Sequence, residues 1–224
     1  MTEQFDPFEE IPPGLDAEKM ATFLKGNAHT VSHTALFEHA LTHSSPKVQR
    51  IALRTLLSRG DFLPSAFKSL KSRSSKIRRG ALIALINCQE ENLSQVVEMG
   101  LKSSDSTWKH AALQALSAIG KPAAKHAMDV VNYGLKEENI QTKQLALVAL
   151  SRFQQDASHT AGFIVNHALT SSNKQTRRKA LIAIKAIAGT QAAEHAMPQI
   201  EKLKTKQKNY PEVKQAKTIL QLHH

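Results

Sequence analysis

The sequence predicts an all-α protein in which antiparallel helix pairs stack into a solenoid. Six times, a residue of a type that caps helix N-termini is followed seven positions later by alanine, and successive capping residues lie 29, 31, 34, 34 and 36 residues apart. Repetition at this period is typical of stacked-helix repeat proteins. No segment alternates apolar and polar residues as a half-buried strand does. The six cap and alanine pairs are Ser45/Ala52, Ser74/Ala81, Asp105/Ala112, Asn139/Ala146, Asn173/Ala180 and Asn209/Ala216.

The N-terminal segment predicts an acidic tail followed by one capping helix. Residues 1–18 contain six acidic side chains and neither lysine nor arginine. This composition favours a flexible tail over residues 1–15. A helix over about 16–25 is expected to cover the end of a single repeat domain at 16–224, whose repeats run over about 29–222.

The first helix of each pair, called the A helix, is predicted before each capping residue. A leucine lies four positions before each of the first five caps, and the residue before that leucine is always small, which would let neighbouring helices approach closely. These leucines are Leu41, Leu70, Leu101, Leu135 and Leu169. The predicted A helices run over about 29–43, 62–72, 91–102, 121–136, 155–171 and 190–207.

The second helix of each pair, called the B helix, is predicted to begin at the capping residue. Ser, Asp and Asn side chains accept hydrogen bonds from the free amides of a first helical turn. Apolar residues then recur at helical spacing. Gly60, Gly120 and Gly189 follow their caps by 15 or 16 residues, so each is predicted to end a B helix in a left-handed conformation.

The repeated pattern resembles that of a known family. The segment from Ser74 to Leu85 reads cap-x-x-apolar-basic-x-x-Ala-Leu-x-Ala-Leu, and the other pairs follow it. This pattern resembles the HEAT repeat, especially the short variety found in phycobilisome lyases. The resemblance implies a right-handed α-α superhelix of about six HEAT-like helix pairs, with the B helices lining its concave side. Armadillo repeats carry a third helix, for which these spacings leave no room.

Composition restricts the cellular setting that we expect. Cys88 is the single cysteine, so no intrachain disulfide is expected, and this fits a reducing cytosol. The N-terminus has no apolar run of the kind that forms a signal peptide. No stretch approaches the roughly 20 apolar residues of a membrane span. We therefore expect a cytoplasmic protein with no membrane partner.

The charge is concentrated on the predicted B helices. The chain carries 30 basic and 19 acidic residues, a net charge of +11. Windows over the six B helices hold 17 of the basic residues but only two acids, Asp105 and Glu212, which makes +15 and leaves −4 for the rest. By the HEAT resemblance, the concave face is basic. The candidate binding residues are Arg50, Arg54, Arg78, Arg79, Lys109, Lys143, Arg177 and Arg178.

A basic face of this kind favours a non-enzymatic scaffold or adaptor that binds an acidic macromolecule, and we favour a protein as that partner. The alternative is a nucleic acid, either duplex DNA or structured RNA, bound through phosphate contacts that weaken with salt. The scarcity of aromatic residues argues against stacking on single-stranded bases. A third interpretation is structural, because basic residues at this position of HEAT repeats commonly tie neighbouring loops together.

The sequence offers no catalytic residue, cofactor or metal site that we would nominate. His39 and His43 are four residues apart with Glu38 adjacent, yet the His-Glu order of HEAT-repeat di-iron hydroxylases does not occur. A DNA glycosylase built from HEAT-like repeats would need an acid inside the groove and aromatic residues to hold a base. The B helices supply no interior acid, and Trp108 is predicted to lie in the core.

The tail itself is a candidate ligand of the basic face. Phe5, Phe8 and Ile11 stand between its acids. One hypothesis is that this acidic and aromatic segment folds back onto the basic face and competes with the partner.

Overall fold

The computed structural model describes residues 10–12, 14–59 and 61–223, and these residues form helices and connecting turns. Within this part of the chain there is no β-strand, and the predicted all-α fold of helix pairs is confirmed. The helices fall into two compact units, with the division between Gln89 and Glu90. Most of the predicted tail, residues 1–9 and 13, lies outside the described residues, as does Gly60. The tail and its proposed contact with the basic face therefore stay predictions.

The described residues of the first unit form five helices. The helix predicted at 16–25 is confirmed as α1, and the Asp16 carboxylate caps it by accepting hydrogen bonds from the amides of Glu18 and Lys19 at 3.0 and 2.9 Å. Helix α1 packs against α3, while α2 contacts α3 and α5. The bounds are α1 Ala17–Gly26, α2 33–40, α3 Pro46–Leu57, α4 Phe62–Ser69 and α5 Ser75–Ile86.

The second unit continues the alternation of A and B helices. The B helices α7, α9 and α11 pack side by side, and α14 contacts α11 and α12. The bounds are α6 90–101, α7 Ser106–Ile119, α8 121–135, α9 Ile140–Phe153, α10 154–169, α11 Lys174–Ile187, α12 Thr190–Glu201, α13 Thr205–Lys208 and α14 Pro211–Gln221.

Four A helices end in a π-helical turn of five residues. A π turn closes its hydrogen bonds between residues i and i+5 instead of i and i+4. The predicted leucines at or just after these turns are fully buried, which places the end of each A helix in the core. The π turns are Leu36–Ala40, Val97–Leu101, Val131–Leu135 and Val165–Leu169.

Most of the predicted caps form as expected. Ser74, Asp105, Asn139 and Asn173 each accept a backbone amide at the start of a B helix. Ser45 occupies the cap position of α3, but its hydroxyl makes no capping hydrogen bond. The alanines seven positions after the predicted caps are fully buried, as close packing between B helices requires.

The sixth predicted cap is wrong. Asn209 ends the short helix α13, and Tyr210 is the residue that caps α14, directly before Pro211. The sixth A helix is also shorter than predicted, because α12 ends at Glu201 and α13 forms a separate turn. The first A helix begins at residue 33 rather than 29, since the Ser32 hydroxyl caps it by accepting the Ala35 amide at 3.1 Å.

Of the glycines predicted to end B helices, Gly120 does so and Gly189 does not. Gly120 ends α7 with a φ of 72°, the left-handed conformation that was predicted. Gly189 is wrong as a left-handed stop, because its φ of 165° is extended and it precedes α12. Helix α11 ends instead at Ile187, followed by Ala188 in an extended conformation.

A close helix crossing holds the first unit together. Phe37, in the π turn of α2, lies directly against Gly80 of α5. A Cβ atom at residue 80 would lie 1.9 Å from the Phe37 carbonyl oxygen, so only glycine permits this approach.

Cys88 is buried just after the end of α5, and burial raises the pKa of its thiol to about 11. This thiol is therefore a packing residue rather than a nucleophile.

Candidate anion-binding surfaces

The eight candidate basic residues occupy different environments. Arg50, Arg54, Arg78 and Arg79 lie in the first unit, and all four are exposed. The other four lie in the second unit, where only Arg178 is exposed and Lys143 is half-buried. Lys109 and Arg177 are buried. That the eight residues bind a partner is a proposal. Burial distinguishes Lys109 and Arg177 from the other six.

The fourth position after each cap has a structural role in three of the pairs. Side chains here turn back and donate hydrogen bonds to the carbonyl oxygens of the loop before their own cap. Such bonds satisfy carbonyl groups that the helices leave unpaired. The bonds run from Arg78 Nη1 to Ser72 and Arg73 at 2.7 and 2.9 Å, from Arg177 Nη1 to Ser171 and Ser172 at 2.9 and 3.0 Å, and from Gln49 Nε2 to His43 at 2.7 Å.

Two cations at the fourth position after the cap, Arg177 and Lys109, form ion pairs with acids that lie further along the chain. Arg177 Nε donates to Glu212 Oε2 at 3.1 Å, and the guanidinium lies 4.2 Å from the ring centre of Tyr210. Arg177 and Glu212 retain only 8% and 5% of their accessible surface. Lys109 forms an ion pair with Glu137. These contacts fit the structural interpretation, and both cations are buried.

The fifth position after the cap holds an exposed arginine in three of the pairs. Arg79 and Arg178 occupy it in α5 and α11, and Arg50 occupies it in α3. In α7 and α9 it holds His110 and Gln144.

Those two neutral side chains join neighbouring B helices. His110 Nε2 lies 2.8 Å from Thr142 Oγ1, and Gln144 Nε2 donates to Thr176 Oγ1 at 3.3 Å. Burial, and then the nearby charge of Lys109, lower the pKa of His110 and so favour its neutral form. Of α7, α9 and α11, only α11 therefore carries a cation at the fifth position.

Four cations surround a shallow cavity of about 220 Å³ in the first unit. Lys47, Arg50 and Arg54 lie three and four residues apart on α3 and so share one helix face. Lys25 joins them from the last turn of α1, and Ile51 completes the lining. No acid is among the described residues that line this cavity. Lys25, Lys47, Arg50 and Arg54 are called the first-unit cluster below.

Lys25 is a functional candidate that the sequence analysis missed. Lys25 belongs to the capping helix α1, outside the B helices on which the basic residues are concentrated. Its position in the last turn of a helix that packs on α3 is the signal that could have identified it.

A second cavity of the first unit, of about 430 Å³, combines opposite charges. Lys76 and Arg79 lie on one side, and Glu38 on the other accepts a hydrogen bond from Ser74 Oγ at 3.3 Å. His39 and His43 also line it, and His43 Nδ1 accepts the Ser45 amide at 3.0 Å. Throughout residues 10–12, 14–59 and 61–223, no group of three or more His, Cys, Asp or Glu side chains could hold a metal ion.

Comparison with known proteins identifies the repeat class. Residues 33–117 match the family model described as HEAT repeats, which confirms the predicted resemblance. No curated protein matches the chain. No helix in the described part of the chain is both long and apolar enough to cross a membrane.

Several solved structures are similar to this chain. One is an engineered protein, 21% identical, with a TM-score of 0.49 over 84% of this chain and 95% of that one. A designed armadillo repeat protein is 16% identical, with a TM-score of 0.48 over 86% and 100% of the two chains. The complex of CpcE and CpcF of phycocyanin lyase from Nostoc sp. PCC7120 is 16% identical, with a TM-score of 0.34 over 99% of both. With TM-scores below 0.5, these similarities support no statement on what the chain binds.

Proposed function

We propose that this protein is a non-catalytic adaptor that binds an acidic protein through its first-unit cluster. The observation that carries the proposal is the convergence of four exposed cations on one cavity whose described lining contains no acid. Like charges gathered without counter-charges repel one another, and an anionic partner relieves that repulsion. A HEAT-repeat fold suits such a role, since repeat proteins present extended surfaces for binding.

The chemistry of the cavity favours a protein over a nucleic acid. Ile51 lies among the four cations and is half-buried, so the cavity offers an apolar contact as well as positive charge. A peptide with both acidic and apolar side chains can use both features. A phosphate backbone gains only from the charge. Nucleic acid remains the second candidate and is tested below.

The non-catalytic part of the proposal is supported by the positions of the two B-helix acids. The Asp105 carboxylate caps α7 by accepting the amides of Thr107 and Trp108 at 2.9 and 3.1 Å. Glu212 is buried against Arg177. Both carboxylates are thus engaged in holding the fold, and a glycosylase-type reaction would need one directed at a substrate.

Charge reversal of the cluster is expected to remove binding. We expect Arg50→Glu/Arg54→Glu to weaken binding of a fluorescent glutamate-rich peptide by at least tenfold, because two attractions become repulsions. Fluorescence anisotropy at about 0.15 M salt measures the effect. Both side chains are exposed, so circular dichroism should show unchanged helicity.

The matched control is Lys68→Glu/Lys71→Glu, which changes the net charge equally at exposed positions on and just after α4. We expect this control to weaken peptide binding no more than about threefold, because charges far from the binding site act on the peptide only through screened long-range electrostatics. Equal losses in the two double variants would show a general charge effect and contradict a site at the cluster. Tighter binding of duplex DNA than of the peptide would favour the nucleic-acid alternative.

A further inference from the structure

Helix α11 of the second unit carries a face that combines positive charge with an exposed apolar side chain. Lys174, Arg178, Ile182 and Lys185 are spaced by four, four and three residues, so they lie along one side of the helix. All four are exposed, and Ile182 retains 59% of its accessible surface. These four residues are called the α11 face. It is formed entirely within the second unit and shares no residue with the first-unit cluster.

The charges of the α11 face are not neutralised along their own helix. Helix α11 contains four further basic or polar residues in its sequence but no acid. Glu212 of α14 approaches the helix, but it is buried and paired with Arg177. Lys174 lies close enough to contribute to the lowered pKa of Glu212, whereas Arg178 and Lys185 have no such role there. The face therefore offers cations to an external anion.

Ile182 adds an apolar contact to the positive charge of the α11 face. Ile182 is a large apolar side chain exposed among cations, four residues after Arg178 and three before Lys185. Val148 occupies the equivalent position of the neighbouring helix α9 and is half-buried. An isoleucine adds nothing to phosphate binding, but it can contact an apolar side chain of a peptide.

We infer that the α11 face docks a protein segment in which acidic side chains flank an apolar one, as on one side of an acidic amphipathic helix. In such a helix, acids three or four residues from a leucine share its face. The leucine would contact Ile182 while the acids meet Arg178 and Lys185. This inference deepens the proposed function and rests on its acidic protein partner, but it assigns a different surface and a defined side-chain pattern.

Two peptides of equal length and charge test the inference. One repeats glutamate and leucine at helical spacing, and the other replaces each leucine with alanine. We expect Ile182→Ser to weaken the glutamate–leucine peptide about tenfold and to leave the glutamate–alanine peptide within about twofold, because only the first makes the apolar contact. Arg178→Glu/Lys185→Glu should weaken both peptides. Ile182 is exposed, so the serine variant should retain the wild-type unfolding temperature.

The matched control for charge is Lys202→Glu/Lys206→Glu, two exposed lysines of the second unit outside α11. It should change both affinities by no more than about threefold. The inference is overturned if Ile182→Ser binds both peptides as the wild type does, or if duplex DNA binds the α11 face more tightly than either peptide. If the wild type binds the peptides but only the Arg50→Glu/Arg54→Glu variant loses them, the inference fails and the proposed function stands. If the wild type binds neither peptide, both fail.

Discussion

Gly80→Ala is expected to destabilise the first unit by about 3 kcal/mol, the upper end of the usual cost of overpacking. The added Cβ would lie 1.9 Å from the Phe37 carbonyl oxygen, 2.6 Å from its carbonyl carbon and 2.7 Å from its Cα. These are backbone atoms, so no side-chain rotation can relieve the clash. Phe37 is itself fully buried, and α2 would have to move away from α5.

Thermal unfolding followed by circular dichroism measures this effect, with Gly26→Ala as the control. Gly26 is the last residue of α1, and a Cβ there meets nothing within 4 Å. For a unit of this size, about 3 kcal/mol corresponds to a fall of more than about 10 °C in the unfolding midpoint. The control should shift the midpoint by no more than a few degrees. A Gly80→Ala protein that unfolds with the wild type would contradict the α2–α5 crossing.

Arg177→Met is expected to destabilise the second unit by about 3–5 kcal/mol, since removing one partner of a buried ion pair leaves the other charge buried and unpaired. The same variant loses the two hydrogen bonds to the Ser171 and Ser172 carbonyls and the contact with the Tyr210 ring. Urea unfolding at pH 7 measures the loss. Arg178→Met is the adjacent control, because Arg178 is exposed and its loss should cost less than about 0.5 kcal/mol.

The ion pair between Arg177 and Glu212 should make the free energy of unfolding depend on pH. Burial alone would raise the pKa of Glu212, but a backbone hydrogen bond and the Arg177 guanidinium outweigh it and lower the pKa below 4.5. A carboxylate with a lowered pKa in the folded state stabilises that state above the unfolded value, and this contribution disappears as pH falls through the folded value. Wild type should therefore lose more stability below about pH 4.5 than Glu212→Gln does. Parallel losses in the two proteins would show that Glu212 does not contribute.

Local signals explain which parts of the fold the sequence predicted. Asp105, Asn139 and Asn173 cap their helices because a capping side chain acts on amides two or three residues away. The sixth cap differs because proline favours the first helical position. Pro211 therefore places the cap at Tyr210, although the side chain of Asn209 is also of a capping type. The π turns had no recognised sequence pattern and were not predicted.

The candidate sites were harder to predict because exposure depends on residues distant in the sequence. Lys109 and Arg177 look like Arg78 in the repeat pattern, yet they are buried with acids 28 and 35 residues further on. The first-unit cluster needed the packing of α1 on α3, which brings Lys25 to the three cations of α3. The charge count correctly located an excess of cations on the B helices, but it could not separate those that hold loops from those that face solvent.

We propose that the exposed cations of this protein bind an acidic protein rather than a nucleic acid. The most direct test is an anisotropy competition at about 0.15 M salt, in which the fluorescent glutamate-rich peptide and duplex DNA of equal charge compete for the wild-type chain. We predict that the peptide binds more tightly and that Arg50→Glu/Arg54→Glu releases it. Tighter binding of the duplex, with an affinity that falls steeply as salt rises, would contradict this account.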